Sequence, residues 1–324
     1  MSEPGSRHRL HGLAPDNLLA FLALLGLLRA IQTARPDWRP RAAWDVDQPP
    51  LRPLLVLAEP TTQEGISQAA AEGASQLAVI YEFASEHPDA AVQKDLNYSD
   101  EYARKLLSRA AAEENREGAD LWASLMSDLA AKDGRIEATP LCLLFGQGHQ
   151  HFLDRLATVP RTAAPPPRGR GRKTINLTAA ETLQEALFEP WTRQDPTPGF
   201  RWDPAEDVRY ALRADDPSGE KSTTQHGANR LAALGLPVFT VVPVQRGNRL
   251  RLQVLAGHFD RDFMLAWPIW RQPASLAAIR AMLSHPDLTN GAPALAQLGV
   301  EQVRRARRIN NGRFMNFSRA EVIG

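Results

Sequence analysis

The spacing of apolar residues predicts an α+β protein. A helix-rich N-terminal half is followed by a mixed α/β C-terminal half with a mainly antiparallel sheet. Three observations carry the prediction. Residues 59–137 read as several helices in succession, whereas the second half has short strand-like segments at 208–213, 238–243, 250–255 and 263–267. Leu250, Leu252 and Val254 alternate as one buried face of a strand should. Hydrophobic residues make up 43% and charged residues 23% of the 324, enough to bury a real core.

The elements follow in order. Asp16 or Asn17 can cap a helix running through Leu18, Leu19, Phe21, Leu22, Leu25, Leu28 and Ile31, apolar nearly all round and therefore buried. Pro36, Pro40, Pro49, Pro50 and Pro53 extend the chain, with Trp38 and Trp44 able to pack back and a strand at 54–57. Helices are expected around 66–83, 101–112 and 121–129. Residues 59–137 hold 16 acids against 7 basic residues. Such a surface repels phosphate, so it should face solvent or a basic protein partner.

The apolar residues 141–145 then turn through Gly146, Gln147 and Gly148 into a helix at Phe152, Leu153 and Leu156. Residues 161–173 contain three consecutive prolines and no acid, and read as an exposed, mobile basic loop. Helices at 179–188, 275–283 and 300–308 complete the second half. The expected organisation is a helix-rich domain at 1–160, the basic loop at 161–175, and an α+β domain with an arginine-rich tail at 176–324. No internal period argues for a solenoid.

Composition limits the setting. The lone Cys142 cannot form an intrachain disulfide and points to a reducing, cytoplasmic location. The apolar run at 18–28 ends at Arg29 and falls short of the ~20 residues that span a bilayer. Arg7, His8 and Arg9 precede it, but no clean cleavage site follows, so it does not read as a signal peptide. Formal charge is only +1, so distribution matters more than the sum.

Three basic or polar segments are candidate nucleic-acid contacts. In the tail, Arg304, Arg307 and Arg308 would share one face of a helix and track phosphates, with Arg313 beyond it. Phe314 and Phe317 would either stack on bases or close the core. The same pattern also reads as a solvated helix face. Arg168, Arg170, Arg172 and Lys173 form an arginine-glycine segment of the kind that contacts backbones without reading sequence, or a solubilising insertion. Lys221, Thr224, Gln225 and Arg230 lie at the start of a helix whose free N–H groups favour an anion, although an ordinary surface loop fits equally.

Other chemistry is less well supported. Residues 219–222 resemble part of a P-loop, but Asp215 and Glu220 stand where that motif requires glycine. Cys142, His149 and His151 match no common zinc spacing, and Gly146-Gln147-Gly148 lacks the rest of a dinucleotide fingerprint. No nucleophile elbow, H-E-x-x-H motif or framed acid pair is present. His226 and His258 remain titratable near neutrality. No catalytic residue, cofactor or metal is assigned.

Three stretches together resemble a known family. They are residues 13–29, beginning Leu13-Ala14-Pro15-Asp16-Asn17; Arg209-Tyr210-Ala211-Leu212 leading to Gly227-Ala228-Asn229-Arg230-Leu231-Ala232; and Arg308-Ile309-Asn310-Asn311-Gly312-Arg313-Phe314. The chain looks like the large-subunit proteins of type I CRISPR effector complexes, particularly the I-G (I-U) subtype. The resemblance implies a non-catalytic subunit of a crRNA-guided complex, contacting crRNA and target DNA near the adjacent motif and helping to open the duplex. Its partners would be other CRISPR subunits and a helicase-nuclease recruited in trans, with guide pairing carrying sequence specificity. Many such subunits are longer and end in a helical bundle, which a separate small subunit would supply here. Two further readings stay open: a metal-independent CRISPR RNA-processing endoribonuclease using His149, His151 or His226, and a small-molecule enzyme built on the Gly146 turn and the Lys221 loop.

Overall fold

The computed structural model describes residues 5–86, 94–144, 151–169, 174–206, 223–291, 293–310 and 315–323. After the short strand β1 (Ser6–Arg9), Asn17 starts α1 (Leu18–Ala34) by accepting the Leu19 N–H on its side-chain oxygen at 2.9 Å. Every residue of α1 from Leu18 to Ile31 is buried, as its apolar circumference requires. Strands β2 (Arg41–Trp44) and β3 (Pro53–Leu57) complete a three-stranded sheet of order β1-β3-β2.

The helices α2 (Gln63–Leu77), α3 (Asp100–Ala112) and α4 (Arg116–Leu125) follow, each opened by a side-chain cap from Thr62, Ser99 or Asn115. A small hairpin of β4 (Ala131–Lys132) and β5 (Arg135–Ile136) precedes α5 (Phe152–Thr158). Then comes α6 (Ala179–Phe188), opened by a capping box between Thr178 and Glu181. Helix α7 (His226–Gly235) is buried along its whole length. Alpha-helices α1 and α7 approach closely because both are glycine at the crossing. A methyl group on Gly26 would meet the Leu231 carbonyl, and one on Gly235 would meet the Leu22 carbonyl.

The strands of the second half are β6 (Val241–Arg246), β7 (Arg249–Val254), β8 (Gly257–Phe259) and β9 (Phe263–Trp270). They are followed by α8 (Leu276–Leu283), β10 (Val300–Asn310), β11 (Met315–Phe317) and β12 (Glu321–Ile323). Strands β6 and β7 form a separate hairpin turned at Gly247, whose φ of 57° suits glycine. The remainder forms a five-stranded sheet of order β11-β10-β9-β8, with β12 also paired to β10 and every pairing antiparallel. This is the expected α+β architecture.

Helix α1 covers the inner face of that sheet, where Phe21 stacks on Trp267 with ring centroids 5.3 Å apart. The two sheets meet where Ala42 and Ala274 exchange backbone hydrogen bonds and Trp270 donates to the Ala42 carbonyl at 2.7 Å. The buried side chains form one contiguous cluster drawn from both halves of the chain.

Three expectations need correction. Residues 300–308 are strand, not helix: β-branched Val300, Val303 and Ile309 favour extended backbone, and β9 pairs with it from Val300 to Arg307. The expected strand at 238–243 begins only at Val241, because residues 236–238 form a 3-10 turn with proline at its start. In the basic loop, Arg168 and Ile175 exchange backbone hydrogen bonds, so its described part is anchored. The expected strand at 208–213 lies outside the described residues.

Candidate nucleic-acid interface

Strand β10 is the element with the most basic character, and its extended backbone decides which arginines work together. Side chains alternate across a strand, so Arg304 and Arg308 point to one face while Arg305 and Arg307 point to the other. The expected grouping of Arg304, Arg307 and Arg308 on one face therefore does not occur. Arg304 and Arg308 lie on the inner side. Arg304 donates to Gln302 at 3.0 Å; Arg308 donates to the Pro140 carbonyl at 3.1 Å and sits 5.6 Å from the Phe263 ring centroid. Burial holds the Arg308 guanidinium below the usual arginine range.

The outer face is where charge reaches solvent. The register aligns His258 of β8, Met264 of β9 and Arg307 of β10 in one row, and Ala266, Arg305 and Glu321 in the next. Arg307 is exposed, and its guanidinium meets no carboxylate among the described residues; its backbone N–H donates to the Ser318 hydroxyl at 3.0 Å. Arg305 donates to Glu321 at 2.7 Å, and Arg319 to Asp16 at 2.9 Å with 70% of its side chain exposed. Together Arg305, Arg307, Ile309, Ser318, Arg319 and Glu321 line a shallow surface recess. Two of its three arginines are thus held by single surface carboxylates, which cost little to exchange for phosphate.

The rings of Phe259, Phe263 and Phe317 cluster with one another, and Phe263 and Phe317 are buried. Phe317 closes the core and does not stack on bases; Phe314 lies outside the described residues, as does Arg313. With no phenyl or indole ring on the outer rows among the described residues, contact there would be through phosphate charge, the His258 imidazole and the aliphatic Met264 and Ile309. His258 and Arg305 were not nominated from the sequence as nucleic-acid contacts, because only strand register places them beside Arg307.

The polar segment at the start of α7 occupies a different place. Thr224, Gln225 and Arg230 are buried, at 2%, 2% and 1% exposure. Thr224 is 3.0 Å from the Thr197 hydroxyl, and the Gln225 side chain accepts from the Arg193 backbone. Arg230 donates to the Pro160 and Ala163 carbonyls and to Ser75, and burial lowers it to about 10. Arg168, from the basic loop, is ion-paired with Asp195 and Glu185, both at 2.7 Å. Thr224, Gln225 and Arg230 are thus buried scaffold groups, and Arg168 is a partly buried one whose guanidinium is held by two carboxylates. Arg170, Arg172, Lys173 and Lys221 lie outside the described residues.

The histidines divide similarly. His226 is fully buried; its Nε2–H donates to the Thr162 carbonyl at 2.8 Å, and burial pushes its pKa down. His151 Nδ1 lies 2.8 Å from Asp95 at the partly exposed start of α5. His149 lies outside the described residues. Cys142 is buried, and burial pushes its thiol up to about 12. Among the described residues no three His, Cys, Asp or Glu side chains converge on a metal position. Beside Asp203, burial pushes Glu206 up to about 7.

No helix among the described residues is long and apolar enough to cross a membrane. Comparison with family models, curated proteins and solved structures finds no match for this chain.

Proposed function

We propose that this chain is a non-catalytic large subunit of a crRNA-guided CRISPR interference complex. It holds nucleic acid through the outer face of its five-stranded sheet. The observation that carries the reading is the alignment of Arg305 and Arg307 on that face, with Arg319 beside them. Such a surface favours a phosphate backbone over particular bases, and guide pairing would supply sequence. In this reading the subunit contacts crRNA and the target DNA near the adjacent motif and helps open the duplex. It works in the cytoplasm with other CRISPR subunits, and a helicase-nuclease recruited in trans does the cutting.

The test is to co-express the chain with its genomic neighbours, purify through a tag on this subunit, and sequence bound RNA. Defined crRNA recovered with other CRISPR proteins is the expected result. Recovery of the chain alone, free of RNA, overturns it.

One observation favours a second reading, a metal-independent RNA-processing endoribonuclease: the partly exposed His151–Asp95 pair could serve as a general base. Isolated chain that cleaves repeat RNA in chelator, and loses that cleavage in His151→Ala, would establish it.

A further inference from the structure

The three-stranded sheet carries a second basic surface remote in sequence from the tail. Its register places Arg7 of β1 and Arg41 of β2 directly across from Val56 of β3, one on each side. Neighbouring strands lie ~4.8 Å apart, so the two arginines bracket a strip roughly 10 Å wide. Both are exposed, as is Arg39, two residues before Arg41. Leu54, Val56 and Ala58 are only partly buried and share one side of β3, because Pro53, Leu55 and Leu57 turn inward. The result is an aliphatic strip flanked by guanidinium groups.

The charges there are unusually uncommitted. Arg9 is tied to Asp45 at 3.4 Å and to Gln48, and Arg52 to the His11 and Leu51 carbonyls. Arg7, Arg39 and Arg41 make no side-chain ion pair or hydrogen bond among the described residues. Arg7 could be explained as a charge that blocks pairing at the open edge of β1. That account fails for Arg39 and Arg41, since Ala42 of β2 already exchanges backbone hydrogen bonds with Ala274.

We infer that this face, with Arg7 and Arg41 flanking Val56 and Arg39 beside them, binds the phosphate backbone of single-stranded nucleic acid. Aliphatic side chains between cations accommodate sugars and base edges without reading sequence. A lipid surface is the weaker match. Among the described residues, no large apolar side chain is fully exposed on this face, so nothing large is presented for insertion. Because this second surface rests on the reading that the chain holds nucleic acid, the experiment separates the two.

The full chain is titrated into a fluorescein-labelled oligouridylate, with anisotropy followed over a range of potassium chloride. Three proteins are compared: wild type, R7Q/R39Q/R41Q, and R305Q/R307Q. Single strands release ~0.7 counterion per neutralised phosphate, so the triple variant should lower the salt slope by about 2 and weaken binding. R7K/R39K/R41K should restore both, since charge and not shape is used. An unchanged slope in the triple variant, with a reduced slope in R305Q/R307Q, overturns the second surface and leaves the first. No binding by wild type overturns both. Binding only to phosphatidylserine vesicles, lost in the triple variant, overturns the inference in favour of a lipid surface.

Discussion

Glu206 is held in an environment that resists its charge. Its Oε1 is shut from solvent with no hydrogen bond among the described residues, and Asp203 stands near by. Desolvation by burial is the main cause of its rise to about 7, with Asp203 adding to it and the Arg201 backbone N–H opposing. The native state therefore keeps a proton that the unfolded chain gives up near the ordinary value. Its favourable effect is fully present below the unfolded value and declines as pH rises through 7. Glu206→Gln should gain thermal stability over wild type above pH 7, by on the order of 2 kcal/mol, and show no gain near pH 4. A melting-temperature difference that does not change with pH would contradict this. His226 has the opposite sign, since burial lowers its pKa, so only the difference between variant and wild type isolates Glu206.

Arg230 makes a related point about what a sequence can reveal. A cationic side chain near a helix start reads as a surface anion ligand, yet here it ties the chain at Pro160 and Ala163 to Ser75 of α2. Residue type cannot distinguish these cases, because only the fold determines whether the donors meet carbonyls or solvent. Arg230→Met would leave those carbonyls unpaired, costing about 1–3 kcal/mol, with relief of a desolvated charge offsetting part of it. Oligonucleotide affinity of the folded variant should match wild type. A loss of affinity without a loss of stability would return Arg230 to the interface.

At the scale of elements, the clearest dependence is the crossing of α1 and α7. Their backbones are close enough that Gly26 and Gly235 each face a carbonyl of the other helix. Gly26→Ala must push the helices apart along a buried seam. It should lower stability by about 2 kcal/mol or more despite alanine's better helix propensity. A thermal melt at or above wild type would show that the seam can yield. The helix itself was legible, since an asparagine cap and an all-round apolar run leave little alternative. Strand β10 was not. Val300, Val303 and Ala306 are buried at intervals of three, which imitates a helix. The cause is tertiary: Val303 is flanked by Pro268 and Ile323 on one face, while Ala306 is flanked by Leu265 on the inner one, so each is buried by its neighbours although the two point to opposite faces.

That misreading also explains why the candidate site was only half legible. The basic character of the tail is plain from residue type, but helical spacing groups Arg304, Arg307 and Arg308, whereas register groups Arg307 with Arg305 and His258. The N-terminal surface was invisible for the same reason. Arg7 and Arg41 are far apart in sequence and become neighbours only because both strands pair with Val56.

For the molecule as a whole, composition suggested a division near residue 160, and the buried cluster bears on how the two parts melt. Helix α1 packs on α7 through its glycines and on β9 through Phe21 and Trp267, so the most buried helix of the first half, besides packing on α2, has major partners in the second. The Trp202 indole N–H donates to the Leu141 carbonyl, and Tyr81 donates to the Ala233 carbonyl at 2.6 Å, tying the halves at two further points. Neither half can expose these contacts without uncovering the core of the other. The chain should therefore unfold in one cooperative step, with calorimetric and van't Hoff enthalpies in agreement. A fragment of residues 1–160 should expose the apolar circumference of α1 and fail to fold alone. Two resolved calorimetric transitions, or a cooperatively melting fragment, would establish two independent domains and make the α1–α7 seam an interface between them.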